Sequence, residues 1–247
     1  MQMNMHRLFP DRLQKHVELW SRSARMIGLK ATALRTLERL LRDRSENDRS
    51  FDARHGTDTA GKVMPAELGI ADAVARTQAA VYLPSPARVT RYLLDAVNLR
   101  WQEWSFVDLG SGKGRVAMVA AERPFKQVLG VELSPHLHES ARANLMRYRG
   151  PADLRLIRFQ LEDARNFALP EGDTVFHLYH PFGAPILREV LRRIEASQRE
   201  RPRRIRIVYL GAFIEAMMVF AEFRFIKQTN FNSCLEPKYV WAVFENV

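Results

Sequence analysis

From about residue 104 the chain alternates short apolar runs with longer stretches that are apolar on one side only. The runs Phe106–Leu109, Gln127–Glu132, Leu154–Gln160, Thr174–Tyr179 and Arg204–Leu210 are short enough, and apolar enough, to predict strands. Between them, Arg115–Ala121, Pro135–Tyr148 and Ala184–Ala196 carry apolar residues at helical spacing. Ser134-Pro135 offers a capping side chain followed by proline at the first helical position, and Gly150 supplies a stop. Past residue 210 the pattern gives one more helix and then two strands, Arg224–Thr229 and Lys238–Phe244, close enough to pair as an antiparallel hairpin. Strands alternating with helices predict an α/β fold. Its sheet is doubly wound and mostly parallel, with the hairpin at one edge.

Upstream the rhythm differs. Leu13, Val17, Trp20, Ala24 and Ile27 recur at helical spacing; Leu34, Leu37 and Leu41 repeat the pattern after a break at Gly28. The outer faces carry Arg12, Lys15, Arg22, Arg25, Arg35, Arg39 and Arg42. Such leucine-striped basic helices pack on the main domain or on a second copy as a homodimer; the alternative is an anionic surface, membrane or nucleic acid. Residues 45–69 are polar and rich in turn formers, as in a linker or a long covering loop. The upstream stretch fits an entry lid: Tyr82-Leu83-Pro84-Ser85-Pro86 precedes the helix flanking the first strand, and Phe51–Thr59 is a polar, glycine-bearing segment that reads either as a lid or as a solvated linker. Ser85-Pro86 repeats the capping signal before a helix whose apolar face is Val89, Tyr92, Leu93, Ala96 and Val97.

Composition narrows this picture. The chain has 247 residues, 47% of them hydrophobic and 27% charged, which is globular usage. Its single cysteine, Cys234, allows no intrachain disulfide and no cysteine-based zinc site, and is expected to be a small buried hydrophobe. No signal-like core follows Met1, and no apolar run approaches the ~20 residues that cross a membrane, so a reducing, cytoplasmic location is expected. The net charge of +10 favours acidic partners in general and names none.

Chemistry concentrates in Asp108-Leu109-Gly110-Ser111-Gly112-Lys113-Gly114-Arg115, a buried strand ending in a glycine-rich turn that opens a helix. Glycine permits the tight path and the close approach of a ligand, and the helix start presents free N–H groups. A phosphate-cradling Walker loop needs an earlier glycine and a Ser or Thr after the lysine; Val107 and Gly114 stand there instead. A dinucleotide fingerprint needs its third glycine where Arg115 stands. An acidic residue followed by three alternating glycines is matched at every position. A carboxylate there suits a ligand carrying an ammonium and a sulfonium, and would repel a pyrophosphate.

At these residues the chain resembles the class I S-adenosylmethionine-dependent methyltransferases, over about residues 82–247. The resemblance implies that S-adenosylmethionine is held by Asp108, Gly110, Ser111, Gly112 and Gly114. It implies that Glu132, ending the second strand, binds the ribose hydroxyls beside Leu133. It further implies that Asp163, with Glu162 as the alternative, and Ala164 hold the adenine. The segment Tyr179-His180-Pro181-Phe182-Gly183 falls where this family places the residues around the transferring methyl. Amino-group methyltransferases often carry Asn or Asp, Pro-Pro and an aromatic there; only Pro181-Phe182 is in register. The Phe-Gly pair and the Asp-Leu-Gly-Ser-Gly opening also resemble the Dot1-like protein-lysine methyltransferases.

The expected activity is therefore methyl transfer to a nitrogen, or an oxygen, of a protein or small-molecule acceptor. Tyr179 and His180 would orient the acceptor or relay its proton. Phe182 would wall the acceptor by contact with an amine. Residues 1–80 would form a helical extension and covering loop, and 81–247 the catalytic domain. Two other classes compete: a nicotinamide-dependent oxidoreductase on a similar fold, and a nucleic-acid- or membrane-binding module. His177 is expected to point into the sheet packing. The run Arg199-Glu200-Arg201-Pro202-Arg203-Arg204 reads as a solvated loop or a grip on an acidic substrate.

Overall fold

A run of apolar residues with no polar face must be covered on both sides, and β1 (Ser105–Leu109) is buried at every position. The computed structural model describes residues 48–211, 214–232 and 241–246, all within one unit of Ser45–Cys234 with Tyr239–Val247. The basic N-terminal helices and Cys234 lie outside the described residues.

The sheet has seven strands in the order β3-β2-β1-β4-β5-β7-β6. They are β1, β2 (Gln127–Glu132), β3 (Ile157–Leu161), β4 (Thr174–Tyr179), β5 (Ile205–Leu210), β6 (Ile226–Asn232) and β7 (Trp241–Asn246). The first five are mutually parallel, and β7 runs antiparallel to both β5 and β6. This is the doubly wound, mostly parallel sheet with an antiparallel edge that the pattern predicts.

Alternation along each strand sends side chains to two cores. Phe106, Val128, Val175 and Val208 pack with α3 (Ala87–Val97) and α4 (Arg115–Ala120). Val107, Leu109, Leu129, Val131, Phe176, Leu178, Ile207 and Tyr209 face the other way, into a core shared with α6 (Ala184–Glu200) and α7 (Ile214–Ala221). Chain order reverses between β1 and β4, neighbours that lead to opposite halves of the sheet. In open sheets such a switch point opens a crevice at the strands' carboxyl ends.

Several boundaries depart from expectation. Residues 45–69 are not loop throughout: α1 (Asp48–His55) and a 3-10 turn at Pro65–Glu67 lie within them, followed by α2 (Ala73–Gln78). Ser85 does not cap α3. Pro86 occupies the cap position without a side-chain bond, and the Ser85 carbonyl accepts from Arg115 instead. Strand β3 starts at Ile157, because the Asp153 carboxylate accepts from Arg155 N and turns Leu154–Leu156 into a 3-10 segment. The Ser134 cap does form, accepting from Leu137 N at 3.2 Å to open α5 (Pro135–Arg147). α6 runs four residues past Ala196, aided by an Arg199–Glu195 pair one turn apart.

The Arg199–Arg204 run is engaged within the fold. Arg201 pairs with Glu171, Arg204 with Asp173 and Glu103, and Arg203 donates to the Ser197 carbonyl. Among the described residues no helix is long and apolar enough to cross a membrane.

Candidate functional site

A cleft opens at the carboxyl ends of β1, β2 and β4. It is partly open to solvent. Of the twelve residues singled out from the sequence, ten line it: Asp108, Gly110, Ser111, Glu132, Leu133, Asp163, Ala164, Tyr179, His180 and Phe182. Gly112 and Gly114 do not.

The glycine turn explains why. Gly110 and Ser111 donate their N–H groups to the Val131 carbonyl at 2.9 and 3.0 Å, which folds the chain back over β2. All three glycines of the turn have φ between 55° and 87°. A Cβ on Gly110 would lie 2.4 Å from Pro181 Cβ, one on Gly112 2.3 Å from the Tyr82 ring, and one on Gly114 2.6 Å from the Phe159 ring. The glycines therefore admit protein groups as well as a ligand. Lys113 points away from the cleft, donating to the Ala60 carbonyl at 3.1 Å, so it is no phosphate lysine.

Three carboxylates stand along the cleft in three different settings. Glu132 accepts from Gly112 N and Ser134 N, each at 2.8 Å. Burial pushes its carboxyl above the usual range, as does the nearby Asp108 charge, and the two N–H groups only partly oppose this. Asp163 is gripped by the Arg165 guanidinium at 2.7 Å and by Arg165 N at 2.8 Å. Burial raises its pKa, yet those bonds outweigh it and hold the carboxyl below 3.8. Asp108 is 3% exposed, and its Oδ1 is 2.7 Å from Nδ1 of His177, its register partner on β4. His177 thus does more than fill the sheet. Ser111 Oγ is buried without a hydrogen-bond partner among the described residues, a polar atom that a ligand in the cleft could satisfy.

The segment after β4 forms the opposite wall. His180 has φ of 40°, rare for a residue with a side chain, and its Nδ1 is 2.7 Å from the Tyr209 hydroxyl. Burial lowers the His180 pKa, with the Glu215 charge opposing. Phe182 is 9% exposed and makes an isolated antiparallel bridge with Ala79.

Of the two stretches expected to form an entry lid, Tyr82–Pro86 lies at the cleft and Phe51–Thr59 does not. Residues 79–85 line the cleft as an extended strap fastened at both ends. At one end Ala80 N donates to the Pro181 carbonyl and Gly183 N to the Gln78 carbonyl. At the other, Tyr82 bridges Val63, and its hydroxyl donates to the Thr59 carbonyl at 2.7 Å. Pro84 and Pro86 keep this strap out of regular secondary structure. Segment 51–59 contributes nothing to the lining. It packs behind the turn, where Arg115 Nε donates to Thr59 Oγ1 at 2.7 Å and the Arg115 guanidinium lies 5.0 Å from the Phe51 ring centre.

Residues 106–200 match the family model described as a methyltransferase domain. No curated protein matches the chain by sequence. Solved structures that resemble it include a TehB-like SAM-dependent methyltransferase from Corynebacterium glutamicum, at 19% identity over 64% of this chain and 87% of that one, with a TM-score of 0.44. Magnesium protoporphyrin IX methyltransferase from Synechocystis is 12% identical over 65% and 77%, with a TM-score of 0.48. A tRNA (m1A58) methyltransferase from Aquifex aeolicus is 14% identical over 67% and 77%, with a TM-score of 0.45.

Proposed function

We propose that this chain, whose residues 106–200 match a methyltransferase domain, is a class I S-adenosylmethionine-dependent methyltransferase that methylates a nitrogen or oxygen shedding a proton beside His180. The observation that carries this is the imidazole on the cleft wall, held 2.7 Å from Tyr209 at the end of β4. The sulfonium cofactor supplies an electrophilic methyl group, so the protein's task is alignment and exclusion of water.

In this reading Glu132 receives the ribose diol, for which two carboxylate oxygens are the natural partner. Asp163 and Ala164 flank the adenine, with Asp163 oriented by Arg165. Ser111 Oγ gains the partner it lacks, and Gly110 lets the ligand lie against the turn. Asp108 faces the ammonium. Tyr179 and Phe182 wall the acceptor, and the strap 79–85 covers it. His180, whose burial favours the neutral ring, steers or accepts the acceptor's proton. The N-terminal 80 residues serve residues 81–247 as an extension, and their described part ties the strap to the turn.

Calorimetric titration with S-adenosylmethionine and S-adenosylhomocysteine, with NAD as control, tests the cofactor half. Micromolar binding of the first two and none of NAD is expected; binding of NAD alone overturns the reading. Transfer of labelled methyl from S-adenosylmethionine into separated protein, nucleic-acid and small-molecule fractions of an extract tests the acceptor half. Label in the protein or small-molecule fraction, abolished by Glu132→Ala, is expected. Label confined to nucleic acid overturns the choice of acceptor.

A further inference from the structure

Past Thr174, whose hydroxyl donates to the Gly172 carbonyl at the strand's start, strand β4 buries one polar side chain. Val175, Phe176 and Leu178 are completely buried, and between them stands His177, 2% exposed. A side chain that only filled this space would be apolar, because an imidazole buried there must find partners for two nitrogens. His177 finds one. Its Nδ1 meets Asp108 Oδ1 at 2.7 Å, while its Nε2 is buried without a hydrogen-bond partner among the described residues. The Phe106 ring stacks on it with centroids 6.1 Å apart, fixing its plane.

Asp108 has the complementary need. Its side chain is 4% exposed, at the foot of the glycine turn, and no arginine or lysine forms an ion pair with it among the described residues. Glu132 adds a like charge nearby. An ionised carboxylate can only accept hydrogen bonds, so the bond to His177 requires the proton on Nδ1. One donor on Oδ1 fixes the rotation of the carboxylate, and Oδ2 accepts no bond from a protein group among the described residues, in a residue that lines the cleft.

We propose that His177 is a positioning residue for cofactor recognition: its Nδ1–H orients Asp108 so that the free carboxylate oxygen receives the ammonium of the cofactor's amino-acid end. The proposal rests on the methyltransferase reading, and it assigns His177 no contact with the cofactor. It predicts that His177 matters only for ligands that carry the amino-acid end, and only while Asp108 is present.

Full-length protein is titrated with S-adenosylhomocysteine and with 5′-methylthioadenosine, which keeps the adenosine and thioether but lacks the amino acid. His177→Phe should weaken S-adenosylhomocysteine about ten-fold, the effect of losing a charge-assisted hydrogen bond, and leave methylthioadenosine unchanged. His177→Asn, whose amide N–H stands near the place of Nδ1–H, should restore most of the loss. In an Asp108→Asn background, His177→Phe should have no further effect. Equal weakening of both ligands, or no weakening of the first, overturns the proposal, since a purely structural histidine gives one or the other. Wild-type protein that binds neither ligand overturns the methyltransferase reading itself, which the two-ligand comparison keeps distinct. Should His177→Phe fail to fold, nitrogen-15 spectra of histidine-labelled wild-type protein decide. The His177 Nδ1–H resonance should move with S-adenosylhomocysteine and stay still with methylthioadenosine; indifference to both overturns the proposal.

Discussion

Replacing Asp52 with alanine removes the knot that ties the N-terminal segment behind the glycine turn. The Asp52 side chain is 12% exposed, and its Oδ1 accepts from Thr57 Oγ1 at 2.7 Å and Thr59 Oγ1 at 2.6 Å. Its Oδ2 accepts from Ala60 N at 2.7 Å and Thr59 N at 2.9 Å, with the Arg115 guanidinium 3.8 Å away. In the alanine variant the hydroxyls can rotate toward other acceptors, but the two backbone N–H groups cannot. Each stranded donor costs about 1–3 kcal/mol, so the expected loss is roughly 3 kcal/mol. For a folded unit of this size that lowers Tm by about 6–12 °C. Asparagine keeps one acceptor oxygen and should lose about half as much.

The pH dependence follows with a definite sign. Burial raises the Asp52 pKa, but the bonds from Thr59, Thr57 and Ala60 outweigh it, so the folded value lies below 3.8. The stability it contributes is complete above 3.8 and is lost as pH falls through the lowered folded value. Thermal unfolding followed by circular dichroism, at neutral pH and in acid, should show the gap between wild type and Asp52→Ala narrowing below that point. A Tm change under about 2 °C at neutral pH, or a gap that widens in acid, would refute the reasoning.

Glu132→Gln should weaken S-adenosylhomocysteine about 10- to 100-fold by calorimetry, since it removes a charged acceptor from the diol. Because the folded Glu132 carboxyl is raised above 4.5 and only its ionised form suits the diol, wild-type affinity should fall as pH drops through that raised value, and the variant should not follow. Gly110→Ala places a methyl 2.4 Å from Pro181 Cβ at a φ of 74°; overpacking and left-handed strain together should cost about 2–4 kcal/mol in urea unfolding. Ser134→Ala removes both the cap on Leu137 N and a bond to the Leu68 carbonyl, and should lose about 1–2 kcal/mol by the same measurement.

The strands were legible because a parallel strand covered on both faces is a short, mainly apolar run, and β1, β2 and β4 are such runs, broken only by polar residues such as Asp108, Glu132 and His177. The turn was legible for a different reason: three glycines at alternate positions have no other common use after a buried strand. What escaped depends on partners far away in the chain. Helix α1 has a polar sequence and is built around Phe51, which is fully buried against groups some 60 residues later. The arginines of the 199–204 run looked available, yet Arg201 and Arg204 meet Glu171, Asp173 and Glu103, which no local pattern brings together. Arg115 stands where a dinucleotide fingerprint needs glycine, and only the fold reveals that it reaches Thr59 and Ser85.

The three glycines join these threads. Each makes room for a group from a different segment: Pro181 from the loop after β4, Tyr82 from the strap, Phe159 from β3. The strap is bridged to Phe182 at Ala79 and to Val63 at Tyr82, and Thr59 holds Tyr82 in turn. The turn, its cover and the wall that carries His180 are therefore one hydrogen-bonded assembly, not three loops that happen to face a cleft. In such an assembly a change at Asp52, remote from any ligand, reaches Gly112 through Thr59 and Tyr82. A change at Gly110 reaches Phe182 through Pro181. The glycine spacing, read at first as room for a cofactor, equally encodes the packing that brings the glycine turn and the segment after β4 into register.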